Sequence, residues 1–320
     1  MCLHIMHSLW HTCVIILTLL TGSVYMVFLQ QIFNGLALGS VYALIALGYT
    51  MVYGIVRLIN FAHGDILMLG AYTGFFILKS FGLSPLSLVI AIAVSMMICS
   101  FIGMGIEKTC YKPLRNSPRI NALITAIGVS IVIENGAKVI PFIGPNPRVY
   151  PVLKPVNYTI SGASVSQTQI IVFGVSIFLM IVLNYIVNFT KTGKAMRAVS
   201  LDKDAALLMG IDINKIISFT FAIGAALGAA AGVLYSLSYP SINPYMGIMP
   251  GLKAFVAAVL GGIGSIPGAM LGGFIMGIAE TITRGYISSL WADAVAFAIL
   301  IGMLLVKPAG IMGKNVREKV

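Results

Sequence analysis

The chain is predicted to fold as an all-α polytopic transmembrane helical bundle of about eight to ten spans, with two Gly-rich broken or re-entrant segments. Three observations carry this expectation. Of 320 residues, 59% are hydrophobic and 9% charged, with a mean hydropathy of +1.00, whereas soluble domains are about 25% charged. Residues 1–56, 80–106, 155–190, 216–252 and 254–279 contain no Asp, Glu, Lys or Arg, and the longer runs exceed the ~20 residues a helix needs to cross a bilayer. Finally, 13 of the 20 Lys and Arg residues fall into three clusters. These are Lys108, Lys112, Arg115 and Arg119; Lys191, Lys194, Arg197, Lys203 and Lys215; and Lys307, Lys314, Arg317 and Lys319. The positive-inside rule assigns all three segments to the cytoplasm. The net charge of +11 therefore marks membrane sidedness, and nucleic acid is not an expected partner.

Residues 1–25 have an apolar centre but no Lys or Arg ahead of it, as a secretory signal normally has. They read as an extension ahead of a transmembrane domain over 26–320, with translation from Met26 and an extra N-terminal span as rival accounts. The first assured span, about 27–56, is studded with Gly35, Ala37, Gly39, Ser40, Ala43, Ala46 and Gly48, small residues that let membrane helices approach closely. It ends at Arg57-Leu-Ile-Asn-Phe-Ala-His-Gly-Asp65, a polar break that needs protein or water around it at that depth. Asn60, His63 and Asp65 are candidates both for helix caps, with Asp65 opening the next helix, and for the lining of a translocation path.

Spans near 65–81 and 84–106 lead through an inside loop to a helix over about 121–140, where Glu134 and Lys138 stand four apart and are expected to pair. Pro141, Pro145, Pro147, Pro151 and Pro155 mark 141–168 as a large outside loop. A span near 169–189 precedes the long polar stretch at 190–215. There Ala195, Ala198, Leu201, Ala205, Leu208 and Met209 recur at helical spacing, leaving Lys194, Arg197, Lys203 and Asp204 to face water. This loop reads either as a plain basic connector or as a docking surface for another protein. Beyond a small-residue span at 216–238, Gly261-Gly-Ile-Gly-Ser-Ile-Pro-Gly268 breaks the segment 252–282. An even number of crossings must separate two inside segments, and the spans near 216–238 and 292–306 supply two, so 252–282 enters and returns, with Glu280 and Arg284 paired at its outer end. The two Gly-containing breaks suggest an internal repeat, with Gly262, Gly264 and Ser265 joining the path candidates.

Catalytic chemistry is missing from this reading. GGIGSIPG lacks the Lys-Ser/Thr that closes a phosphate loop, and the chain shows no nucleophile triad, carboxylate dyad or Cys/His cluster. Neither a cofactor nor a metal is expected, and the chain is read as a transport component that is not an enzyme.

The segments NGLALGSVYALIALGYTMVYGI, INFAHGDILMLGAY, INPYMG, GLKAFVAAVLGGIGSIPGAMLGG and PAGIMG make the chain, from about Phe28 onward, similar to a permease subunit of a bacterial branched-chain amino acid ABC importer. It resembles the shorter of the two paired permeases. The resemblance implies a multi-pass protein of the bacterial inner membrane that works with a second homologous permease, two cytoplasmic ATPase subunits, a periplasmic binding protein and membrane lipid. It implies passage of Leu, Ile, Val or related small amino acids or amides. It also gives Asp204, Ala205, Ala206 and Gly210, with Arg197, a role like the importer coupling loop, although that loop usually opens with Glu. An ion-coupled secondary transporter, which would need intramembrane acids that are few here, or a channel for a small solute, which gives no reason for a coupling-loop motif, is the alternative.

Overall fold

A computed structural model describes residues 2–56, 60–115, 117–153, 156–160 and 163–313. Arg57, Pro155, Lys314, Arg317 and Lys319 lie outside these. The helices are α1 (Cys2–Val56), α2 (His63–Phe81), α3 (Pro85–Ile106), α4 (Arg119–Val139), α5 (Gln167–Phe189), α6 (Lys191–Leu201), α7 (Lys203–Leu208), α8 (Ile213–Ser238), α9 (Ile248–Gly261), α10 (Ile266–Tyr286) and α11 (Trp291–Val306). Among the described residues, six are long and apolar enough to cross a membrane, and α9 and α11 are shorter apolar helices. The all-α polytopic bundle follows directly from the uncharged runs.

Small residues place the helices. Gly35, Gly39 and Ala43 of α1 meet Ile278, Gly277 and Gly273 of α10 backbone to backbone, so the two helices run antiparallel in close contact, the packing that small residues allow where lipid supplies no hydrophobic drive. Helix α8 lies against α2 in the same way, through Ala229 on Gly70 and Gly232 on Leu67. The buried side chains Tyr42, Leu44, Ile45, Leu47, Leu67 and Met68 fill the centre of the bundle.

The two ends differ in character. At the basic end, α3 runs on through a π-helical turn (Glu107–Tyr111) and a 3₁₀ turn (Lys112–Leu114). There Arg115 Nη1 donates to Asn214 Oδ1 at 2.6 Å and Ser218 Oγ donates to Glu107 Oε2 at 2.5 Å. The first two basic loops therefore share one end of the bundle. The Gly262–Ser265 break joins them, because Ile311 and Met312, just past α11, donate backbone N–H groups to Leu260 and Gly261.

The opposite end carries structure that turn-rich sequence did not predict. Within 141–168, β1 (Arg148–Val149) pairs antiparallel with β4 (Ser241–Ile242), and β2 (Asn157–Ile160) pairs with β3 (Ala163–Ser166), Asn157 opposite Ser166. Tyr150, fully buried, anchors this cover against Phe75 at 6.2 Å between ring centroids. Five prolines marked the segment as loop; short edge strands tolerate them outside the ladder.

Candidate functional site: a polar loop and a buried cavity

The polar stretch forms two short helices, with Asp202 ending α6 and capping α7 by accepting from Asp204 N and Ala205 N at 2.9 and 3.0 Å. Asp202 escaped the sequence reading, although Asp three residues before Ala-Ala is an ordinary capping signal. The expected apolar face is corrected here. Met196, Val199 and Ala206 are the buried positions, while Leu201, Leu207, Leu208 and Met209 project at 59–88% exposure. One helix of regular period was assumed; the break at Asp202 rotates everything after it.

Arg197 does not simply face water. Its Nη1 donates to Val187 O at 3.0 Å and to Asn188 Oδ1 at 2.9 Å, closing the C-terminal end of α5 where free carbonyls favour a cation. Gly210 has φ +80°, the left-handed conformation that ends a helix cheaply only at glycine. Asp204 and Ala205 are exposed, and Asp204, with Leu207 and Gly210, borders a groove of about 680 Å³ that also includes Lys112 and Arg115. At its edge Asp212 caps α8, accepting from Lys215 N at 3.1 Å, and this bond with the Lys215 ammonium holds its carboxyl below the usual carboxylate range.

The path candidates divide into separate places. Gly264 approaches Gly54 and, with Ile266, walls a small recess under Met196, Arg197 and Ser200. Ser265 caps α10 by accepting from Gly268 N at 3.3 Å, and Gly262 packs on Gly310 and Gly313. These three belong to the basic end.

Asn60, His63 and Asp65 are all buried, His63 and Asp65 at greater depth. Asn60 Oδ1 accepts from Tyr111 OH at 2.8 Å. His63 stacks edge-on against Tyr49, centroids 4.8 Å apart, between Gly48 and Gly228; Gly228 is near the middle of α8, so α2 starts deep inside the bundle. The capping expectation for Asp65 is overturned. Helix α2 begins at His63, its N-cap is Ala62, and no side chain caps it.

Asp65 instead turns toward Ser130 and Glu134 of α4. The expected Glu134–Lys138 pair is absent among the described residues, and Lys138 lies over the Tyr245 ring, 4.1 Å from its centroid, and bonds the Tyr245 hydroxyl. Glu134 and Asp65 share a cavity of about 260 Å³ at the starts of α2 and α9, walled by Tyr49, Phe61, Ile127, Ile131, Ile248 and Leu252.

The Glu280–Arg284 pair exists as expected, within a larger cluster. Lys253 of α9, 4% exposed, reaches Glu280 Oε1 and Asp293 Oδ1, each at 2.6 Å, and Tyr42 OH donates to Glu280 Oε2 at 2.8 Å. Lys253 was passed over as a lone charge between two apolar runs; that isolation was itself the signal, since a charge inside a span needs a partner.

Residues 31–304 match the family model described as the permease component of the branched-chain amino acid transport system. The chain belongs to that family. It is 45% identical to the high-affinity branched-chain amino acid transport system permease protein LivH of Escherichia coli K12, over 92% of this chain and 99% of the relative. It is 44% identical to BraD, the permease protein of the same description from Pseudomonas aeruginosa, over 92% and 98%. A probable LivH of Methanocaldococcus jannaschii is 28% identical over 84% and 88%. As a member of this permease family the chain is a membrane-embedded transport component and not an enzyme.

Proposed function

We propose that this chain is the membrane-spanning permease subunit of an ATP-driven importer in a bacterial inner membrane, passing Leu, Ile, Val or a related small amino acid received from a periplasmic binding protein. A second homologous permease completes the channel, and two ATPase subunits drive it from the basic, cytoplasmic end. The observation that carries this reading is the apolar tip of the 190–215 loop. Leu201, Leu207, Leu208 and Met209 project outside the hydrophobic spans on a basic surface, where water makes exposed leucine costly unless another protein covers it. The names of the relatives, high-affinity branched-chain amino acid permeases, support the substrate class.

The tip rests on buried Met196, Val199 and Ala206 and on the Arg197 clasp to α5, so force applied there reaches α5 and α8 through rigid contacts. Ala206 therefore supports the loop from beneath, and the contacting positions are Asp204, Ala205, Leu207 and Leu208. Leu208→Asp should cost about 2 kcal/mol or more of docking energy, as a central interface residue does. Gly210→Val forces a branched residue to φ +80°, at about 1–3 kcal/mol, and misdirects the exit to α8. Both variants are expected at normal level in the membrane, with reduced ATPase recovery in detergent pull-down and no ATP-dependent leucine uptake in vesicles. Uptake at the unmodified rate by both, or uptake driven by an ion gradient without ATP, would exclude the coupling role.

A further inference from the structure

Buried carboxylates in this protein normally have a cation beside them. Glu107 has Arg115, and Glu280 has Lys253 and Arg284. Asp65, 2% exposed, has none among the described residues, and its Oδ2 is shut off from solvent without a hydrogen-bond partner. Ser130 and Glu134 of α4 bring a hydroxyl and a second carboxyl within hydrogen-bond reach of its carboxyl but no cation, and the cation four residues along α4 is engaged with Tyr245. A charge left in this state is expensive in a low-dielectric interior. The dipole at the start of α2 eases that cost without giving Oδ2 a donor.

The rest of the cavity has a matching character. Its aromatic and aliphatic walls suit a branched hydrocarbon side chain, and its volume of about 260 Å³ is just below the ~300 Å³ where drug-sized pockets begin. Helices α2 and α9 both start at this cavity, and neither N-terminus is capped by a side chain. Backbone carbonyls of the preceding turn already accept from the His63, Asp65 and Ile248 N–H groups, so what favours an anion here is the positive end of each dipole, which broken helices that start at mid-depth turn toward substrate carboxylates.

We infer that this cavity is a transit site for a zwitterionic amino acid, with Asp65 and Glu134 receiving the ammonium group, the starts of α2 and α9 facing the carboxylate, and the apolar walls holding the side chain. The substrate class rests on the importer reading above; the ammonium site does not need the ATPases. An ammonium has three donors, and the Asp65 and Glu134 carboxylates with the Ser130 hydroxyl offer acceptors on one side of the cavity. Binding neutralises the buried pair only while the substrate is present, so the site favours occupancy in passing and release at the next opening.

Thiol protection tests it. Ile248, partly exposed on the cavity wall, is replaced by Cys in the importer freed of its native cysteines and purified in proteoliposomes, and its rate of alkylation is followed. L-leucine and isoamylamine, which keep the ammonium, should slow the reaction. Isocaproate, which lacks it, and sodium chloride should not. Asp65→Asn and Glu134→Gln should each abolish protection and lower leucine uptake about tenfold or more, with the permease level unchanged. Absence of protection by leucine in the parent, protection that survives Asp65→Asn, or equal protection by isocaproate would overturn the site; protection by sodium chloride would reassign it to an inorganic cation. Lack of a co-purifying ATPase would overturn the importer reading alone, because protection by leucine is read on the permease itself.

Discussion

Two acidic clusters lie inside this bundle, and they are opposites. Around Lys253 the charges cancel, with two cations facing Glu280 and Asp293 and the Tyr42 hydroxyl satisfying a remaining oxygen. Around Asp65 two carboxyl groups meet at the wall of a cavity with no cation among the described residues. The first arrangement fastens α1, α9, α10 and α11 together. The second costs stability and fastens little, since α4 presents Ile120, Ile124, Ile131 and Val132 to its surroundings. Completed networks belong to architecture; an incomplete one in the same membrane protein points to a ligand that completes it.

The difference can be broken most directly at Lys253. Lys253→Met leaves Glu280 buried and half-neutralised, and breaking such a pair costs about 3–5 kcal/mol. Thermal unfolding in detergent should therefore fall sharply. Adding Glu280→Met should restore much of the loss, because Arg284 and Asp293 are partly exposed, at 34% and 49%, and reach water. A double variant as unstable as the sum of the two single changes would mean that the cluster is not a unit.

Tyr42→Phe removes one donor from the buried Glu280 carboxylate and should cost about 1.5–3 kcal/mol in the same assay. Next in size, and opposite in sign, is Asp65→Asn, which removes a buried charge that no cation answers among the described residues. Its midpoint should stay or rise, by about 1 kcal/mol at most, while leucine uptake is lost. A drop as large as that of Lys253→Met would place Asp65 among the architectural charges. The smallest effect is expected for Asp293→Asn. Solvent screens this half-exposed partner, so the change should lie within about 0–1 kcal/mol, and Glu280 keeps Lys253.

Much of the architecture was readable from uncharged runs and breaks. The spans from α3 to α11 lie close to their predicted positions, and the Gly261–Gly268 interruption separates α9 from α10. The left-handed Gly210 was readable too, since a glycine after a short polar helix has few other uses. The 190–215 loop was located but its faces were not, because a single capping aspartate, Asp202, resets the helical phase.

By itself the sequence determined that this is a polytopic membrane bundle, that three basic segments mark one side, and which loop stands out from the spans. Those properties depend on hydropathy and charge along the chain, which no fold can alter. Only the tertiary structure decided the partner of each buried charge. Glu134 and Lys138 share a helix face, yet Lys138 turns to Tyr245 and Glu134 to Asp65, residues about 70 to 110 positions away along a chain whose helical period encodes neighbours only within one helix. In a bundle where apolar residues face both lipid and protein, hydrophobic pattern does not record which helix faces meet; close contacts between small residues decide that, and with it which carboxylates are answered and which are left open.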